Sequence, residues 1–95
     1  MNDLKLVARL DNPHCSYEWE TVEVYQNENK ELFYRAGYGC SCDSIEDIEL
    51  QPMYSLAEVV HQADKWGRVD IKPDAATAAR ADFLADLIKA YKSTY

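Results

Sequence analysis

Ninety-five residues, 10 basic and 17 acidic, carry a net charge of −7, and 47% of the side chains are apolar. That length supports one domain, the apolar share is ordinary for a folded chain, and no apolar run approaches the ~20 residues of a membrane span. Nucleic-acid binding draws on clustered lysine and arginine, so the acidity speaks against nucleic acid as a direct ligand.

The opening Met1-Asn2-Asp3 lacks the basic-then-apolar pattern of an export signal, and a cytoplasmic protein is expected. From Leu4 to Leu10 the chain alternates, Leu4, Leu6, Ala8 and Leu10 against Lys5, Val7 and Arg9, which predicts a strand over 4–10. Asp11-Asn12-Pro13 follows as a turn. Strands are predicted over 17–26, rich in aromatic and β-branched residues, and over 32–38, and Asn27-Glu28-Asn29-Lys30 joins them as a hairpin. Closed symmetrically about those four residues, the hairpin pairs Val24 with Phe33, Trp19 with Tyr38 and Tyr17 with Cys40. It then gathers Tyr17, Trp19, Tyr25, Tyr34 and Tyr38 on one face, expected to be the core face.

One further step of that register sets Cys15 opposite Cys42, so Cys15, Cys40 and Cys42 project from one face at the end of the hairpin. Three readings stay open. The thiols pack as small hydrophobes, or they bind zinc with His14 or His61 as the fourth ligand, or Cys15 and Cys42 form a disulfide. The odd cysteine count opposes the disulfide, and a single C-x-C lacks the paired knuckles of a zinc matrix. No cofactor other than zinc is suggested. Neither histidine supports a catalytic cysteine: His14 has no orienting partner in the sequence, and His61 lies on a helix flank between Glu58 and Lys65. The protein is therefore expected not to be an enzyme.

Residues 43–58 hold Asp43, Glu46, Asp47, Glu49 and Glu58 and no base. Ile45 and Ile48 interrupt any calcium-loop pattern, and Gly37 and Gly39 have no following lysine to make a phosphate loop. The acidic run is either a solvated turn or a contact for a basic partner, flanked by Glu18 and Glu20. Next, Ser55-Leu56-Ala57-Glu58 has the form of a capping box and predicts a helix over 56–66, with Leu56, Val59, Val60, Ala63 and Trp66 on one face and Gly67 as terminator. A second helix is predicted over 74–92, after Pro73, with Asp74 and Lys89 and Lys92 placed to suit its dipole. Its stripe is Ala76, Ala79, Phe83, Leu84, Leu87 and Tyr91, with Arg80 set inside it. The fold class is α+β: a three-stranded antiparallel sheet followed by two helices packed on one face.

The segment Tyr34-Arg35-Ala36-Gly37-Tyr38-Gly39-Cys40-Ser41-Cys42-Asp43-Ser44 resembles a motif of small proteins of unknown function encoded by actinobacterial phages, in which a tyrosine-bearing strand runs into Gly-Cys-Ser-Cys. Tyr17-Glu18-Trp19-Glu20 and the later capped helix are similar too, and the likeness covers about the central half of the chain. Members often continue with proline where this chain has Asp43. The resemblance implies a phage accessory gene acting in the cytoplasm of the bacterial host, and brings no established site. The expected function is then non-enzymatic binding of a host or phage protein with a basic surface, through Asp43, Glu46, Asp47 and Glu49 with Glu18 and Glu20. Small acidic phage proteins of this kind resemble inhibitors of nucleic-acid-handling defence proteins, carboxylates standing where phosphates would bind. The alternatives are a zinc-stabilised structural or regulatory module and a minor virion component.

Overall fold

The computed structural model describes residues 4–11, 18–40, 44–67 and 72–94. Strands β1 (Lys5–Asp11), β2 (Glu18–Gln26) and β3 (Leu32–Cys40) form an antiparallel sheet in chain order. A two-residue strand β4 (Gln51–Pro52) pairs with Phe33 and Tyr34 on the far edge. Helices α1 (Leu56–Lys65) and α2 (Pro73–Thr94) complete an α+β fold. The sheet thus has four strands, not the three expected. Two residues carry no readable alternation, and a proline is tolerated because β4 lies at the edge of the sheet.

The core lies between the helices and one sheet face. Ala8, Leu10, Val22, Val24 and Leu32 meet Met53, Val59, Ala63, Trp66, Ala76, Phe83, Leu87 and Ala90. Each fully buried large side chain, such as Phe83, Leu87 or Leu10, contributes about 1.5–3 kcal/mol. The helix stripes read from the sequence pack on this core except at Val60, which is half-buried, and Ala90 joins them from outside the predicted stripe. Pro73 opens α2 at the position where its missing N–H costs nothing. After α1, Gly67 takes a left-handed φ of 107°. One prediction at the start of α1 fails: Ser55 makes no bond to a backbone amide, and its hydroxyl meets the Glu58 carboxylate at 3.5 Å instead.

The β2–β3 register differs by one residue from the symmetric hairpin. Glu18 faces Cys40, Trp19 faces Gly39, Val24 faces Tyr34 and Tyr25 faces Phe33. The cause is the loop, which holds three residues, not four. Asn27 N–H donates to the Glu31 carbonyl at 3.1 Å, Lys30 N–H donates to the Asn27 carbonyl at 3.0 Å, and Lys30 adopts φ 65°. The Asn27 side-chain oxygen accepts from the amides of Asn29 (3.0 Å) and Glu31 (2.9 Å), fixing the turn locally. Slipping one strand by one residue separates the aromatics. Tyr34 and Tyr38 share the helix-side face with their partners Val24 and Glu20, whereas Trp19 and Tyr25 fall on the opposite face. Tyr17 lies outside the described residues.

A second departure sits in β1. Leu6 pairs with Tyr25 and Ala8 with Val24, leaving Val7 without a partner, which is a β-bulge. Beyond it Ala8 and Leu10 are buried, but Leu4 and Leu6 are 38% and 42% exposed, so the four residues do not share the core face as their alternation predicts.

Candidate functional site: an acid-bearing strap

Residues 44–50 cross the sheet face that the helices leave open. Ile45 is buried and Ile48 and Leu50 are half-buried, while Glu46, Asp47 and Glu49 are exposed. The isoleucines that interrupt a calcium loop are the inner side of this strap. Ser44 caps its single 3-10 turn, Ile45–Asp47, with the reciprocal bonds of a capping box. Ser44 Oγ accepts from the Glu46 amide at 3.3 Å, and the Ser44 amide donates to Asp47 Oδ2 at 3.2 Å. The Ser44 hydroxyl also bonds to the Glu46 carboxylate.

Beneath the strap the sheet carries a charge network. The Glu23 side chain, 5% exposed, accepts from Arg35 Nε at 2.7 Å and from the Tyr25 hydroxyl at 3.3 Å, and lies 3.5 Å from Arg9 Nε. Arg9 also pairs with Asp11 at 3.4 Å, and Asp11 accepts from the Thr21 hydroxyl at 2.9 Å. Arg35 Nη1 donates to the Ile48 carbonyl at 3.3 Å, tying the strap down, and the guanidinium sits 5.6 Å from the Tyr25 ring centre. Burial alone would lower the Arg35 pKa, but the bond to Glu23 and the Tyr25 hydroxyl outweigh it and raise it above its ordinary range. Both arginines of this network are thus engaged with Glu23 and Asp11. Among the described residues no ion pair reaches Glu46, Asp47 or Glu49.

The glycines of the motif make room for this layer. A Cβ on Gly39 would lie 3.0 Å from the Trp19 indole, and one on Gly37 would collide with Ile48 Cδ1. Both glycines thus permit a close approach of the strap and the indole to the sheet.

Of the predicted contact residues, Glu46, Asp47 and Glu49 stand together on the outer side of the strap. Glu20 does not join them. It lies on the helix-side face, 5% exposed, and its carboxylate accepts from the Gly67 amide at 2.8 Å. Burial and this bond withdraw it from the acidic surface. Glu18 is described by its backbone, opposite Cys40 at the end of the hairpin, and Asp43 lies outside the described residues. So do Cys15, Cys42 and His14 of the proposed metal set. The pairing of Tyr17 with Cys40 is replaced by that of Glu18 with Cys40, which removes the register used to bring the three thiols together. Among the described residues no group of three or more histidine, cysteine or acidic side chains is placed to hold a metal ion. His61 is exposed on α1. The network of Arg9, Glu23 and Arg35 was not foreseen. Its signal was a glutamate and an arginine directly opposed, visible only in the correct register.

The chain matches DUF7574, a domain of unknown function, over residues 2–93. It belongs to this family. The DUF7574 match takes in the sheet, the strap and both helices, so the acidic surface lies inside the family domain. No curated protein and no solved structure matches the chain. No helix among the described residues is long and apolar enough to cross a membrane.

Proposed function

We propose that this DUF7574 protein is a non-enzymatic binding protein that offers the strap carboxylates to a basic surface of a host or phage protein. The observation that carries the reading is the pairing pattern around the strap. Glu46 and Asp47 are exposed on a capped turn and Glu49 just beyond it, and the arginines beneath are occupied by Glu23 and Asp11. A turn closed by its own capping bonds holds its carboxylates in place before binding, which lowers the ordering entropy lost in a complex. Unneutralised surface charge also speeds encounter with a partner of opposite sign. Carboxylates so arranged suit a site built for phosphates, which favours a nucleic-acid-handling protein, such as a defence protein, as the target. The likeness to actinobacteriophage proteins supports a phage accessory role in the host cytoplasm.

The test is affinity capture from infected host cells at low and high salt, with wild type beside the variant D43N/E46Q/D47N/E49Q. A partner held by wild type, released by salt and lost with the variant is expected. Equal capture by both forms would remove the acidic strap from the account.

A further inference from the structure

The bulge at Val7 turns Leu4 and Leu6 out of the core, onto the sheet face that the strap covers only in part. Leu6 is paired with Tyr25 and Tyr25 with Phe33, and cross-strand partners share a face. Leu4, Asn27, Phe33 and Leu50 there line an open groove of about 200 Å³. Small-molecule sites start at about 300 Å³, so this groove suits a protruding side chain better than a whole ligand.

The rim carries the chemical clue. Glu49 is exposed and immediately precedes Leu50, and Asn27 Nδ2 donates to Glu31 Oε1 at 3.1 Å, holding a second exposed carboxylate beside the groove. A lining of Leu4, Phe33 and Leu50 with two carboxylates next to it calls for an apolar anchor accompanied by bases, the usual division of an interface into dry centre and charged rim. We propose that the groove between Leu4, Phe33 and Leu50 seats an apolar side chain of the basic partner protein, with lysine or arginine on either side meeting Glu31 and Glu49. The proposal rests on the acidic-strap reading and extends that contact from Glu46 to the hairpin end of the sheet.

The test uses the full-length ¹⁵N-labelled protein and three synthetic peptides. One alternates arginine with leucine and phenylalanine, one has glutamate in place of every arginine, and one has serine in place of every leucine and phenylalanine. Only the first should shift the amides of Leu4, Leu6, Phe33 and Leu50, whereas the arginine–serine peptide should bind more weakly and shift Glu46–Glu49 alone. The variant L4S/L6S, altered at two exposed positions, should bind that peptide about tenfold more weakly while keeping its melting temperature. Should that variant unfold, the pattern of shifted wild-type amides decides alone. If the arginine–serine peptide binds as well as the first and shifts only Glu46–Glu49, the groove is rejected and the charged strap stands. Should neither arginine peptide shift any amide, both readings fall. Concentration-dependent shifts at Leu4, Leu6, Phe33 and Leu50 without peptide would assign the groove to a second copy of this chain and overturn the proposal.

Discussion

Glu23 accepts from Arg35 and Tyr25 and pairs with Arg9 on a face whose cover is seven residues wide. Removing one partner of a nearly buried charge pair leaves the other unpaired, which costs more than the pair contributes. Glu23→Gln should therefore lower the unfolding free energy by about 2–4 kcal/mol in a urea titration, the lower end applying because Arg35 keeps the Ile48 carbonyl. A loss below about 1 kcal/mol, the value of an ordinary neutral hydrogen bond, would show the network to be solvated. The acids of the strap were legible as residues without bases nearby. Their use was not, because Ile45 and Ile48 acquire meaning only when a sheet face lies beneath them. The close approach at Gly37 and Gly39 is not legible either, since the indole and isoleucine that need their missing Cβ atoms come from distant parts of the chain.

At the level of elements, the helices were the most readable parts. Val59 with Ala63 and Phe83 with Leu87 fall on the predicted faces because a helix displays its apolar period within a few turns of its own chain. The strands were readable as strands and their alignment was not. A hairpin register depends on the loop, and this loop puts a lysine where glycine or asparagine would announce a left-handed residue. Lys30→Gly should relieve that conformation at some cost in unfolded-chain entropy, for a net gain of about 0.5 kcal/mol, read as a small rise in melting temperature. A fall in melting temperature would mean that the lysine side chain contributes more than its backbone strain costs. Ser55 illustrates the opposite error: the capping-box spelling is present, yet the box forms at Ser44 instead.

Across the whole molecule, one cluster of polar bonds joins the sheet to both helices. Trp66 Nε1 donates to the Glu20 carbonyl at 2.9 Å, Gly67 N–H to the Glu20 carboxylate at 2.8 Å, and Arg80 Nη1 to the Trp66 carbonyl at 2.9 Å. The arginine inside the stripe of α2 thus serves the end of α1. Tyr34 provides another tie between sheet and helices. Burial raises its pKa above the usual 10.0, and the charge of Glu58 and the hydroxyl's bond to it act the same way. A raised folded-state pKa gives stability that is complete below the unfolded value and is lost as pH climbs through the folded one. Melting temperature should therefore fall as pH rises past about 10, and Tyr34→Phe should flatten that fall. Identical slopes for the two proteins would assign the effect to other tyrosines. The fold class and the helix layer were legible at this scale, whereas the fourth strand and the strap's place were not, because each depends on contacts between segments far apart in the chain. The unpaired Val7 has the widest reach of these features. Were Val7 paired in a regular ladder, strict alternation would carry the first leucines inward and Lys5 outward, so one residue left out of register decides whether this end of the protein greets its surroundings with grease or with lysine.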